Sequence, residues 1–193
     1  MFGGTGQSNQ AYDAPATAPL NPQHDLDWMC CFLQNETPDG IRQWAGNTLR
    51  HPITREQLLD HAKRLNIKIP LRRAYVAVTE DPEPVRLAYA ELYNIKRRGS
   101  AFITRMIVHP DHRGRGVGPE MLRGILAQGF KKFELHRVEL NVYDFNTAGI
   151  RCYEKAGFRK EGLMRGTTFT GREYWNAYRM AILEDEWRAR AVR

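Results

Sequence analysis

The chain has 193 residues and a formal net charge of +7, from 29 Lys and Arg against 22 Asp and Glu. That length can enclose one core without covalent staples, and three cysteines, Cys30 beside Cys31 with Cys152 far away, make neither a disulfide framework nor a zinc spacing. No apolar run reaches the ~18 residues a membrane span needs, and the basic residues are scattered rather than blocked, which speaks against a dedicated nucleic-acid arm.

Residues 1–24 are rich in Gly, Ala, Pro, Gln and Asn and carry little periodicity, so a loose tail is expected there. The start of the chain lacks a signal-peptide pattern, and with unpaired cysteines the chain reads as a cytoplasmic protein. From Asp25 the pattern turns helical: Leu26, Met29, Cys30 and Leu33 share one side, and a second piece runs from Pro38 through Ile41 and Trp44 to Leu49. A third opens at Thr54, with Gln57 in the capping-box position and Leu58, Leu59, Ala62 and Leu65 buried. Trp28, Phe32 and Trp44 are read as core.

Three alternating runs follow, at 73–79, 85–95 and 101–109, separated by turns at 81–84 and 96–99. In the third, Phe102, Thr104, Met106 and Val108 are assigned one face, and Ile103, Arg105, Ile107 and His109 the other. Residues 113–118 then read Arg-Gly-Arg-Gly-Val-Gly and lead into a helix carrying Met121, Leu122, Ile125, Leu126 and Phe130. A strand at 137–143 comes next, then a short helix capped by Asn146 and stopped by Gly157, and a closing hairpin of 158–167 with 174–183. The domain is expected to span 25–187, with a polar tail at 188–193.

Strand, glycine-rich turn and helix together make an anion site. Glycines at 114, 116 and 118 let several N–H groups converge while the helix N-terminus adds partial positive charge. No Lys-Ser or Lys-Thr follows, so the turn is not a nucleoside-triphosphate loop, nor is the spacing that of a dinucleotide fingerprint. Taken alone, the hexapeptide fits a tight turn with solvated arginines equally well. His109 and His112 flank Pro110 without a completing ligand set, and no metal site is expected.

The run 105–118, Asn141 and the segment 146–158 (Asn-Thr-Ala-Gly-Ile-Arg-Cys-Tyr-Glu-Lys-Ala-Gly-Phe) together resemble the GNAT superfamily of acyl-CoA-dependent N-acetyltransferases. Glu161-Gly162 with Arg165, and the ending 174–187, resemble its ribosomal-protein alanine N-acetyltransferase branch. Gly149 departs from the alanine usual in that branch, and the strand that normally opens the fold is hard to find before Asp25, where 16–20 is a poor candidate because of its prolines.

The resemblance implies an α+β fold: a mixed, mostly antiparallel sheet of six or seven strands, with flanking helices and two central strands splayed around acetyl-CoA. Arg113, Gly114, Arg115, Gly116, Val117 and Gly118 would hold the pyrophosphate. Met106, Ile107 and Val108 would pair with the pantetheine arm, one N–H polarising the thioester. Asn141 and Asn146 would bind the cofactor arm, and Tyr153 would protonate the departing thiolate. Glu91 is the expected base, ahead of Glu139 and Asp144.

An N-terminal α-amine of pKa ~7.7–8.0 is partly neutral at pH 7, so a protein N-terminus suits a weak base better than a lysine does. Small primary amines are the wider acceptor class. Cys152, without a matched histidine, is read as packing and transfer as direct. Two other readings stand: a non-catalytic acyl-CoA-binding module of the same fold, and a basic RNA- or ribosome-binding protein. Monomer and homodimer are both expected possibilities, since the 174–183 strand could pair with a second copy.

Overall fold

A computed structural model describes residues 15–66, 71–79 and 83–191. Seven strands form one sheet in the order β1 (Ala16–Pro19), β2 (Arg73–Val78), β3 (Arg86–Tyr93), β4 (Ser100–Val108), β5 (Arg137–Tyr143), β7 (Tyr174–Leu183), β6 (Arg159–Phe169). Every neighbouring pair is antiparallel except β4 and β5. The α+β class and the mostly antiparallel seven-stranded sheet agree with the sequence reading.

Helices α1 (Pro22–Leu33), α2 (Pro38–Ala45) and α3 (Arg55–Lys63) cover one face through Leu26, Met29, Leu33, Ile41 and Leu58 against Val76 and Tyr89. The other face receives α4 (Val117–Ala127) through Met121, Leu122 and Ile125, and α5 (Thr147–Ala156) through Ile150. Strand β2 is therefore buried on both sides, with Ala74 and Val76 toward the first core and Tyr75 and Ala77 toward the second. The Thr54 hydroxyl caps α3 by accepting from Gln57 N. The Gln57 side chain does not return to that cap; it accepts from Arg50 N at 2.9 Å and donates to Pro52 O at 2.9 Å, tying down the preceding loop instead.

Two expectations about the ends change. The opening strand exists inside the proposed tail: Ala16–Pro19 pairs antiparallel with β2, and Thr17 lies against Gly124 of α4. Its four residues follow Pro15 and end in Pro19, which an edge strand tolerates because one side of its backbone has no ladder partner. At the other end, the region assigned to a polar tail is helical to Ala191 as α6 (Glu184–Ala191). Glu186 accepts from Leu183 N at 3.0 Å, Trp187 packs on Phe130, and Arg190 donates to Lys155 O at 2.8 Å. Residues 1–14 of the tail and part of the turn at 81–84 lie outside the described residues.

The face assignment along β4 changes too. Ala101 and Ile103 share a core with Met106 and Val108, while Ile107 points to the opposite one. An inserted residue makes the difference: Tyr89 pairs with Ile107 and Glu91 with Thr104, so two steps along β3 face three along β4. The bulge falls at Arg105, whose φ is 50°.

Candidate active site

Strands β4 and β5 are joined only where Ser100 to Phe102 meet Arg137 to Glu139; beyond that they part. The opening is a cleft of about 1020 Å³. One wall is β4 from Phe102 to Val108, and the other includes Asn141 to Tyr143 with Asn146, Arg151, Cys152 and Tyr153. The end of α2 and the loop after it, through Trp44, Asn47 and Thr48, form a third side. A strand edge left without a partner presents backbone N–H and C=O groups into this space.

The glycine turn stands at the mouth. Gly114 has φ 76° and Gly116 φ 83°, left-handed values that admit glycine readily and other residues at a cost. Gly116 is the N-cap of α4, and no side chain caps that helix, so its first-turn N–H groups are left for an acceptor from elsewhere. Gly118 is required by packing: a Cβ there would stand 2.8 Å from Cys152 Sγ. The turn thus brings α4 and α5 together at the cleft mouth. Arg113 donates through Nε to Val108 O at 3.1 Å and through Nη2 to Glu36 Oε1 at 3.2 Å, and Arg115 is exposed next to it.

Asn146 caps α5, its Oδ1 accepting from Gly149 N at 2.9 Å. A Cβ at 149 would stand 2.7 Å from Asn146 Nδ2, so glycine at this position leaves that amide room. Asn141 is exposed on the cleft wall. Tyr153 packs edge-on against Phe158, and its hydroxyl has no hydrogen-bond partner among the described residues. Burial, aided by Cys152, pushes the phenol well above its ordinary range, so it keeps its proton at neutral pH. The Cys152 thiol is raised to about 11 by burial, only partly offset by Lys155.

Glu91, expected as the base, is 0 % exposed and does not line the cleft. It accepts from Tyr89 Oη at 2.8 Å and from Arg105 Nη1 at 3.0 Å, lies 2.7 Å from His61 Nε2 on α3, and has Arg72 at 3.7 Å. A carboxylate enclosed this way is stabilised in its charged form. Arg105 continues the network, donating through Nη2 to Thr48 at 2.7 Å. The carbonyl of Arg105, exposed by the bulge, accepts the Trp44 indole N–H at 2.8 Å.

Of the alternatives for the base, Glu139 is held by Arg137 and Arg179 at 3.2 and 2.8 Å, and Asp144 accepts from Asn176 at 3.0 Å. The sequence reading missed Glu36, Thr48 and Tyr143, all of which line the cleft. Trp44, read as core, bridges the core and the cleft wall. An indole has one obligatory donor, and that was the available signal that this ring needs a polar partner. Among the described residues no group of three or more His, Cys, Asp and Glu could hold a metal, and no helix is long and apolar enough to cross a membrane.

Comparison with known proteins gives one family model, that of the acetyltransferase (GNAT) family, matching residues 39–158. An uncharacterized N-acetyltransferase of Bacillus subtilis, YnaD, is 35% identical over 42% of this chain and 48% of its own length. The spermidine N(1)-acetyltransferase of Vibrio cholerae is 27% identical over 57% of this chain and 64% of its own. The chain thus matches roughly half to just under two thirds of the length of these curated relatives. A Vibrio cholerae spermidine N-acetyltransferase solved with CoA and spermine superimposes with a TM-score of 0.74 at 23% identity, over 89% of this chain and 96% of that one, a likeness of fold. These relatives stand where ribosomal-protein alanine N-acetyltransferases were expected.

Proposed function

This chain belongs to the acetyltransferase (GNAT) family, and from that premise we propose that it moves an acetyl group directly from acetyl-CoA to a primary amine. The observation that carries this reading is the meeting, in one cleft, of an unpartnered strand edge with a helix start that no side chain caps. A CoA donor has an amide-bearing arm ending in a pyrophosphate, and these two features match the two parts. Residues 114–118 hold the pyrophosphate through backbone N–H groups, with Arg113 and Arg115 adding charge. The edge at Met106, Ile107 and Val108 takes the arm as an added strand, one N–H standing by the thioester carbonyl. Asn141 and the free amide N–H of Asn146 bind along the opposite wall.

In the transfer, the amine lone pair forms the new C–N bond, the C–S bond breaks, and the thiolate takes the Tyr153 hydroxyl proton. The raised Tyr153 phenol keeps that proton available at neutral pH. With Glu91 enclosed, the amine gives its own proton to water in the cleft. An amine of pKa ~7.7–8.0 needs nothing stronger. Glu91 serves instead as an anchor for Arg105 and hence for the bulge that aims residues 106–108.

For the acceptor, the relative named for spermidine supports a small primary amine, and the motif resemblance supports a protein N-terminal α-amine. The test is release of free thiol from acetyl-CoA with a panel of spermidine, an aminoglycoside and an alanyl peptide. Turnover with any of them supports the reading. Acetyl-CoA binding without turnover across a broad amine screen would leave the non-catalytic module, and no binding would overturn both.

A further inference from the structure

We propose that Glu36 receives the acceptor's ammonium, that the acceptor brings one positive charge into the cleft, and that Arg113 withholds Glu36 until the donor's pyrophosphate draws the guanidinium away. This rests on the acetyltransferase reading and deepens it. Glu36 lies in the short connection between α1 and α2, and among the described residues lining the cleft it is the only carboxylate. Its neighbours along that side, Gln43, Trp44, Asn47 and Thr48, are uncharged. The lining cations are Arg105, Arg113, Arg151 and Lys155. Asp39 is close by in sequence but is engaged by Arg42 at 2.7 Å and Arg172 at 3.5 Å.

With Arg105 already paired to Glu91 and Arg113 drawn to the pyrophosphate, Glu36 facing Arg151 and Lys155 offers a single ammonium a carboxylate partner and a second ammonium none. A polyamine with several charges is therefore a poor match, whatever the names of the relatives. Singly charged amines with neutral or anionic remainders are the class that fits.

The Glu36 carboxylate is held through one oxygen. Oε1 accepts from Arg113 Nη2 at 3.2 Å, and Oε2 lies over Gly40, where an added Cβ would stand 2.7 Å away. The Arg113 side chain is 53% exposed and that of Glu36 24%, so their pair is screened by water and weak. A pyrophosphate seated on the glycine turn offers Arg113 a more highly charged partner capable of two parallel bonds. While the guanidinium moves to the phosphate, its Nε contact with Val108 O can keep it at the cleft mouth. Glu36 is then vacated within the cleft, free to take an ammonium.

The test compares wild type, Glu36→Gln and Gly40→Ala. Acetyl-CoA affinity is read by isothermal titration, and thiol release is followed with alaninamide as a singly charged probe and spermidine as a multiply charged one. Expected is a wild-type kcat/KM about tenfold or more higher for alaninamide, and a loss of about tenfold or more in Glu36→Gln, mainly in the amine KM. Donor affinity in Glu36→Gln should stay equal or rise a few-fold, because Arg113 is no longer engaged. Gly40→Ala keeps the charge but displaces the flexible carboxylate end, and should give an intermediate loss. An unchanged amine KM in Glu36→Gln, spermidine as the better probe, or weakened donor binding in Glu36→Gln would each overturn the proposal. A wild type that binds acetyl-CoA and turns over amines with none of these dependences leaves the acetyltransferase reading standing alone. A wild type that binds no acetyl-CoA removes both.

Discussion

Arg105 donates to Glu91 across 3.0 Å from a strand bulge, and through that bond the local twist of β4 is tied to the buried layer beneath α3. Glu91 is reached from His61 on α3, Tyr89 on its own strand and Arg105 on the next, so three elements converge on one carboxylate. Removing it would leave the Arg105 guanidinium partly buried without its counter-charge. Glu91→Ala is expected to cost about 3–5 kcal/mol in denaturant unfolding, as for other broken buried pairs. Glu91→Gln, which keeps the shape and some hydrogen bonds, should cost less. Equal and small effects would show that the network is not what holds the bulge.

The same group makes stability depend on acid. Burial pushes the Glu91 carboxyl up, but the bond to His61, the Arg105 charge and the Tyr89 bond outweigh it, and the folded value lies below the ordinary one. The folded protein then binds that proton more weakly than the unfolded chain does. Its contribution is complete above the ordinary glutamate range near ~4.3 and is lost as pH falls through the lower folded value. Urea midpoints taken from pH 6 down to pH 3 should fall more steeply in wild type than in Glu91→Gln. Parallel curves would refute the assignment.

Gly116 tests the donor site. Acetyl-CoA at a hundredfold excess over its Kd adds ~2.7 kcal/mol, which for a chain of this size raises Tm by about 5–10 °C. Gly116→Val places a β-branched residue at φ 83° and should cost at least the ~1–2 kcal/mol of a left-handed conformation. It should also abolish the acetyl-CoA shift, while ATP and NAD shift neither protein. A variant that keeps the full shift would mean the turn does not carry the pyrophosphate.

Tyr153→Phe separates catalysis from packing. The ring contact with Phe158 survives, and the lost hydroxyl has no partner among the described residues, so Tm should hardly move. Loss of a general acid typically costs 10²–10⁴-fold, and a kcat reduction of at least about tenfold is expected here with the donor KM retained. An unchanged kcat would return Tyr153 to the core.

Where the sequence was legible, local rules sufficed. Strands β5 and β7 fall at the expected bounds, and α5 starts on the Asn146 cap and stops at Gly157 with φ 106°. The rest depends on partners distant in sequence. Residues 16–19 look like a poor strand because of their prolines, and their order comes from pairing with residues 75–78 and from Thr17 against Gly124. Strict alternation misassigned Ile103 because a bulge adds one residue without any glycine to mark it. Glu91 resembled a base for as long as His61, thirty residues earlier, and Arg105 could not be placed beside it. The glycine turn was readable as a turn from strand to helix, but its link to Glu36 joins residues 77 apart.

Cys152 decides whether transfer is direct. It lines the cleft next to Tyr153, where a nucleophilic thiol would stand in a two-step reaction through an acetylated enzyme. Burial holds its thiol up at about 11, with Lys155 the one charge opposing it, so the thiolate is scarce at neutral pH. Its sulfur is instead fitted against Gly118. Cys152→Ala should therefore keep kcat within about threefold and lose at most the ~1–3 kcal/mol of a small buried side chain. Mass spectrometry of the wild-type protein after incubation with acetyl-CoA alone should show no added acetyl group on Cys152. An acetylated Cys152 that is discharged by amine, together with a dead Cys152→Ala, would overturn direct transfer and make Tyr153 the partner of that thiol.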